Sequence, residues 1–215
     1  MVTVAVLVLC CIGCFMLGTR KGRCGGKPSE TDTDRIPEEI LQGVVSMEIY
    51  DESGNKIACA SGFVITGPKR LVTCRHVLKD MEYAICTTET GETFRAATIS
   101  ESDSESDIAM LLLPDDCEVQ PLKAASQPLY RGEGVIAIGS QFGMQNVVTR
   151  GNVSMVKDTY ILFTAPVNAG SSGGVLLNDA YEVCGIVRGT YNEGQNINLA
   201  VPIGVAEAML SEANE

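Results

Sequence analysis

The chain contains a single histidine, His76, which follows the strand-like run Leu71–Cys74. An imidazole exchanges its proton near neutral pH, so a histidine with suitable partners can serve as a general base and acid. On its own, a single histidine is usually an ordinary surface or core residue. Its interpretation therefore depends on partners elsewhere in the chain.

A carboxylate suited to pair with this imidazole precedes an apolar run. Asp107 is followed at once by Ile108–Leu113, a pattern typical of a buried strand. A carboxylate drawn toward a core is costly unless it is paired, and an imidazole N–H is a natural partner. The alternative is an ordinary turn residue at the start of a strand. The acidic residues just before it, Glu101, Asp103 and Glu105, are more typical of a solvated loop than of a metal site.

A glycine-rich turn could present a nucleophile. Asn168–Leu177 reads N-A-G-S-S-G-G-V-L-L and lies between apolar runs, which indicates a turn between strands rather than a flexible linker. A serine nucleophile needs a sharp turn that exposes its oxygen and aims backbone N–H groups at the developing oxyanion. Gly170 and Gly173 permit such a backbone. Ser171 is an alternative nucleophile, but the G-x-S-G-G register favours Ser172.

The elements that position these residues are predicted to be short β-strands. From about Ile40 onward, short apolar and β-branched runs alternate with turn residues, without intervening long helical periods. This pattern favours antiparallel β-barrels. Only Ile203–Ala213 has the pattern of a short amphipathic helix. We therefore predict an all-β domain over residues 41–215, ending in a helix.

The order histidine, aspartate, serine is that of the chymotrypsin-type triad. Residues from about 42 to 213 resemble the protease domain of the HtrA/Deg family within the trypsin-like superfamily. The motifs that carry the resemblance are SGFVI (61–65) with LVTCRHV (71–77), SDIAML (106–111), GVIAIGSQFG (134–143), VTRGNVS (148–154), NAGSSGGVLL (168–177), EVCGIV (182–187) and NLAVPI (198–203).

The resemblance implies two six-stranded antiparallel β-barrels, with His76 and Asp107 on the first, Ser172 on the second and the active site between them. Ser172 would be the nucleophile, His76 the general base and acid, and Asp107 the partner of the imidazole. The backbone N–H groups of Gly170 and Ser172 would form the oxyanion hole. Neither a metal nor a cofactor is expected, and the substrates would be proteins or peptides.

The resemblance also suggests a substrate pocket selective for small or medium apolar P1 side chains, because no carboxylate lies at its base. Its predicted lining is Pro166, Val187, Arg188, Gly189 and Ala200. Arg188 stands where the family usually has a small or polar residue, and the alternative is that it points inward and recruits an acidic side chain.

Two further departures lie in the serine turn, where Ser171 replaces the family's asparagine and Ala169 its proline. Neither change removes a catalytic atom. Many family members carry a C-terminal PDZ domain, and we expect none here because little sequence follows the final helix.

The N-terminal segment has a different character. Residues 2–18 are uncharged and would span about 25 Å as a helix, enough for a bilayer core. We predict a membrane anchor over residues 1–19, with a cleaved signal peptide as the alternative, and a polar linker over 20–40. Arg20, Lys21 and Arg23 follow the apolar segment, and this placement favours a cytoplasmic protease domain. The resemblance to HtrA/Deg proteins favours the opposite side.

Charge and cysteine content limit the partners and the compartment. With 16 Lys and Arg against 27 Asp and Glu, the net charge is −11, which argues against nucleic acid as a partner. The nine cysteines lack the spacing of a zinc site within the β-rich part. Most are interpreted as small buried side chains, which favours a reducing compartment.

Two other functions remain open at this stage. One is a catalytically inactive, membrane-anchored module that binds an extended peptide by strand addition. The other is an esterase or other acyl hydrolase that uses the same triad. Both would retain the fold, and they differ from a protease in what happens at Ser172.

Overall fold

The structure, a computed structural model, describes residues 35–65, 69–97, 99–191 and 196–212. These residues fall in the compact unit Ile36–Glu215, apart from Arg35. Helix α1 (Glu38–Leu41) precedes the first strand. Ile36 and Ile40, at the end of the segment 20–40, pack against the core.

The first half of the domain is one antiparallel sheet. Its strands follow the order β5-β4-β1-β2-β3-β7-β6. They are β1 (Val44–Tyr50), β2 (Lys56–Val64), β3 (Arg70–Cys74), β4 (Tyr83–Thr87), β5 (Thr93–Ala96), β6 (Ile99–Asp103) and β7 (Ile108–Leu112).

This seven-stranded sheet corrects the prediction of a closed six-stranded first barrel. Strands β5 and β6 lie at opposite edges of the sheet, yet β5 ends at Ala96 and β6 begins at Ile99. Three residues of chain reach at most about 11 Å. The two edges must therefore lie close together, and the sheet curls into a barrel-like shape. The strand that would close a six-stranded barrel is divided in two, one half pairing with β4 and the other with β7.

The second half is a closed six-stranded barrel, as predicted. Its strands close in the order β10-β13-β12-β11-β8-β9. They are β8 (Gly134–Gly139), β9 (Val147–Val156), β10 (Ile161–Phe163), β11 (Val175–Leu177), β12 (Val183–Thr190) and β13 (Asn198–Pro202).

Alternation along the strands explains why the second barrel is apolar on two faces. In β8, Val135 and Ala137 belong to the core inside the barrel, whereas Ile136 and Ile138 belong to the core shared with the first sheet. Successive side chains of a strand point to opposite faces, so a strand buried on both faces needs an uninterrupted apolar run. The run GVIAIG supplies one, and the two halves are thereby packed together along the cleft.

Helix α2 (Ile203–Glu212) follows β13 directly and confirms the predicted C-terminal helix. Ile203, Ala206 and Leu210 are buried in the shared core at helical spacing. Within the residues that the structure describes, no helix has the length and apolar character needed to cross a membrane. The anchor predicted for residues 1–19 lies outside the described residues.

Candidate active site

Strand register brings His76 and Asp107 together. Cys74 at the end of β3 pairs with Ile108 at the start of β7, so the residues just beyond this pair lie at the same end of the sheet. His76 sits in a single 3-10 turn, Arg75–Leu78, directly after β3. Asp107 precedes β7 with a φ of 63°, a left-handed backbone that Asp tolerates better than most side chains.

Both carboxylate oxygens of Asp107 are engaged by the histidine. His76 Nδ1 lies 2.7 Å from Asp107 Oδ2, and the His76 backbone N–H donates to Oδ1 at 2.9 Å. The side chain of Asp107 is 9% exposed and that of His76 is 48% exposed. The carboxylate is therefore held inside the cleft, while the imidazole faces the solvent in which a substrate arrives.

The environment of Asp107 favours its ionised form. Burial raises the pKa of this carboxyl, but hydrogen bonds from His76 and the charges of His76 and Arg188 outweigh burial, and the net pKa is lowered. Asp107 is consequently a carboxylate at neutral pH, which suits it to accept a hydrogen bond from imidazole Nδ1–H and to stabilise an imidazolium.

The turn before β11 separates the two candidate serines. Ser171 is 3% exposed, and its hydroxyl accepts a hydrogen bond from the Asn168 backbone N–H at 3.2 Å. Ser172 is partly exposed, and its hydroxyl donates to the carbonyl oxygen of Arg188 at 3.0 Å. In this conformation the acceptor of the Ser172 hydroxyl is thus the backbone carbonyl of Arg188, a residue that lines the same cavity as His76. The hydroxyl must release this carbonyl before it can donate its hydrogen to the imidazole.

The predicted oxyanion donors are the backbone N–H groups of Gly170 and Ser172. Each shares a peptide plane with the carbonyl of the preceding residue, so the direction of that carbonyl fixes the direction of the N–H. Ala169 O accepts from Phe142 N at 2.7 Å, and Ser171 O accepts from Gly174 N at 2.9 Å. In a trans peptide the C=O and the N–H point in opposite directions. The N–H groups of Gly170 and Ser172 are therefore turned away from these contacts, and no described residue accepts a hydrogen bond from either of them.

Two glycines are required by this turn. Gly170 has a φ of 96°, and a Cβ there would lie 2.3 Å from the Ser140 carbonyl oxygen. Gly173 has a φ of 84°, and a Cβ there would lie 2.1 Å from the Ser61 carbonyl oxygen. Both positions combine left-handed backbone with a close approach, which only glycine accommodates.

Ser61 is a buried residue of the site whose role the sequence did not reveal. Its hydroxyl donates to Gly170 O and accepts from Ser140 N, each at 2.7 Å. Its backbone N–H also donates to Ser172 O at 2.9 Å. Ser61 therefore joins β2 of the first sheet to the serine turn of the second barrel. The signals in the sequence were a serine within an apolar strand and its position in the motif SGFVI.

The residues predicted to line the substrate pocket have separate environments. Arg188 and Gly189 line a cavity of about 260 Å³ together with His76 and Asp107. Val187 and Ala200 are buried in the core of the second barrel, and Pro166 is exposed. The Arg188 side chain points to the triad: its Nε donates to Asp107 Oδ2 at 2.9 Å. The guanidinium is therefore bound to the carboxylate that is also the partner of His76.

One cluster of possible metal ligands lies here, formed by Cys74, His76 and Asp107. Burial raises the pKa of the Cys74 thiol to about 12, and the thiol donates to the Val187 carbonyl. A metal would need the thiolate and would compete with the Arg188 cation for Asp107. The cluster is better suited to hold a proton between imidazole and carboxylate than to hold a metal ion.

Comparison with known proteins defines the class. The family model for the trypsin-like peptidase domain matches residues 60–186. A serine protease HTRA1B of Danio rerio is 31% identical over 222 residues, covering 91% of this chain and 46% of that protein. A probable periplasmic serine endoprotease, DegP-like, of Pseudomonas fluorescens is 35% identical over 158 residues, covering 68% of this chain and 33% of that protein.

Solved structures agree on the fold. A serine endoprotease from Yersinia pestis superposes with a TM-score of 0.74 at 24% identity, covering 83% of this chain and 68% of that one. The active form of the Rv3671c protease from M. tuberculosis gives a TM-score of 0.73 at 23% identity, covering 81% and 82%.

These matches establish an all-β, chymotrypsin-like fold with two barrel-like sheets. The chain belongs to the trypsin-like peptidase family, with HtrA and DegP-like proteases among its relatives. It spans less than half the length of the two curated relatives described above.

Proposed function

We propose that the protein is a serine endopeptidase whose triad is His76, Asp107 and Ser172. Ser172 Oγ attacks the scissile carbonyl carbon while His76 Nε2 takes the hydroxyl proton. Asp107 accepts from Nδ1–H and stabilises the imidazolium. His76 then gives its proton to the leaving amine, and water repeats the sequence to release the acyl group. The N–H groups of Gly170 and Ser172 stabilise the oxyanion in both halves of the reaction.

The main support for the proposal is that the His76–Asp107 pair of the first sheet and the serine turn of the second barrel share a contact residue, Arg188. The first sheet supplies an ionised Asp107 bound to His76, and the second barrel supplies a serine turn in which the Gly170 and Ser172 N–H groups donate to no described residue. Arg188 adjoins both, through its side chain at Asp107 and its carbonyl at Ser172. A peptide-binding module would need neither an ionised pair nor free N–H donors at this point.

Hydrolysis of matched peptide and ester substrates tests the proposal and separates its rivals. The protein should cleave internally quenched peptides, and Ser172→Ala should lower kcat by roughly 10⁴-fold or more. Ser171→Ala is the matched control and should retain substantial activity, because its hydroxyl is buried in the turn. Cleavage of esters alone would favour an acyl hydrolase, and peptide binding without turnover would favour an inactive module.

For specificity we propose a preference for small or medium apolar side chains at P1. Two observations support this preference. The Arg188 guanidinium is paired with Asp107, and none of the other residues predicted to line the pocket carries a charge. Cleavage-site profiling of a denatured proteome should show apolar residues before the cut. Strict selectivity for Lys or Arg would contradict this preference.

We also propose that residues 2–18 tether the protease to a membrane, on the support of their uncharged, apolar sequence. The basic residues after this segment favour a cytoplasmic domain. Alkaline carbonate extraction should leave the protein in the membrane fraction. Added protease should spare the domain in intact cells and digest it only after lysis, whereas digestion without lysis would place the domain outside.

A further inference from the structure

The Arg188 guanidinium and the His76 imidazole are both hydrogen-bonded to the same carboxylate oxygen of Asp107. Asp107 Oδ2 accepts from His76 Nδ1 at 2.7 Å and from Arg188 Nε at 2.9 Å. Arg188 comes from β12 of the second barrel, and the carboxylate comes from the first sheet. A permanently charged side chain of the second barrel, Arg188, is thus bound to the carboxylate that pairs with His76 in the first sheet.

We propose that Arg188 is a positioning residue of the triad, which locks the Asp107 carboxylate in place and opposes positive charge on the His76 imidazole. The physical reason is charge. An imidazolium beside Asp107 is stabilised by the carboxylate but opposed by the guanidinium on the same oxygen. Arg188 therefore offsets part of the stabilisation that Asp107 gives to the imidazolium.

The other charged and titratable groups around this pair do not provide the same effect. Cys74 on β3 remains a neutral thiol, since burial raises its pKa to about 12. Asp103, at the end of β6, and Glu105, in the loop that follows, line a second cavity with Arg188 and Tyr160. The Asp103 carboxylate is bound by the backbone N–H groups of Glu105 and Ser106. Among the described residues, only Asp107 forms an ion pair with Arg188.

The single histidine of the chain makes a direct test possible. Selective ¹³C labelling of histidine in the full chain, held in detergent micelles and carrying no histidine tag, gives one imidazole Cε1–H signal to follow by NMR from pH 4 to 9. Arg188→Gln keeps an N–H donor and removes the charge, whereas Arg188→Lys keeps the charge. The Gln variant should titrate about one pH unit higher than the parent protein, and the Lys variant close to it.

Superimposable titrations of the parent and Arg188→Gln proteins would overturn the inference, whatever their activity. If the Gln variant does not fold, Arg188→Thr, with a small polar side chain, replaces it under the same expectation. The inference rests on the proposed function only for its catalytic consequence. In the Arg188→Gln variant, the acid limb of the pH profile of kcat/KM should move to higher pH by the same amount as the histidine titration. A parent protein that cleaves nothing would refute the protease while leaving the titration result to decide the role of Arg188.

Discussion

At the scale of single residues, the site depends on hydrogen bonds that cross between the two halves of the domain. Ser61, buried in β2, bonds to Gly170 and Ser140 through one hydroxyl. Asp107 is hydrogen-bonded to His76 of its own sheet and to Arg188 of the opposite barrel. The geometry of the serine turn is therefore set by residues of both halves, and single substitutions far from the nucleophile in sequence should affect it.

Ser61→Ala should weaken both folding and catalysis. The substitution leaves a buried carbonyl and a buried N–H without their partner, which costs about 2 kcal/mol of unfolding free energy. The Gly170 peptide then loses its anchor, and kcat should fall roughly tenfold. Urea denaturation and peptide hydrolysis measure the two effects. Ser53→Ala, at an exposed position, is the control and should change neither; an unaltered Ser61→Ala protein would contradict the assigned role.

Replacement of the triad carboxylate should change stability in a pH-dependent way. The pKa of Asp107 is lower in the folded protein than its ordinary value, so ionised Asp107 stabilises the fold above that ordinary value. This contribution is lost as the pH falls through the lowered pKa. The difference in urea midpoint between the parent protein and Asp107→Asn should therefore narrow from pH 6 down to pH 3. A difference independent of pH would indicate that the pair does not stabilise the fold through its charge.

At the scale of secondary structure, apolar runs predicted the strands well because burial dictates them. The run GVIAIG is buried on both faces as β8, and the pattern of Ile203–Ala213 gave the helix within one residue of its end. The division of the closing strand into β5 and β6 had no counterpart in the apolar pattern. The pairing of the edge strands depends on where the two edges of the curled sheet come together. A local run of apolar residues does not determine that position.

Helix α2 should contribute to stability through its buried face. Leu210 is 7% exposed in the shared core, so Leu210→Ala should lower the free energy of unfolding by about 2 kcal/mol. Glu207→Gln, on the exposed face of the same helix, is the matched control and should be nearly neutral. Chemical denaturation of both variants measures this. Equal stability of the two would mean that the helix adds little to the core.

Local sequence patterns predicted the residue types of the candidate site, but they did not predict the contacts between the two halves of the domain. The types and order of His76, Asp107 and Ser172 pointed to their chemistry, and strand register then explained how the first two meet. The partner of Arg188 could not be deduced, because Asp107 and Arg188 lie on different halves and no local pattern links them. The hydrogen bond from Ser172 to the Arg188 carbonyl likewise depends on a side-chain conformation that the sequence does not specify.

At the scale of the whole molecule, stability should not depend on disulfides. The described cysteines are all free thiols, and four of the five are buried. Burial raises the pKa of Cys74, Cys86 and Cys184 to about 12, which makes them poor nucleophiles for oxidation. The melting temperature should be the same with and without a reducing agent. A drop of several degrees under reducing conditions would show that a disulfide supports the fold.

Covalent labelling of the protein determines whether Ser172 is an activated nucleophile. A fluorophosphonate probe should label the full-length protein at neutral pH, and mass spectrometry of the digested adduct should place the probe on Ser172. Ser171→Ala should still be labelled, and Ser172→Ala should not. Absence of labelling in the parent protein, or a probe found on Ser171, would contradict the account.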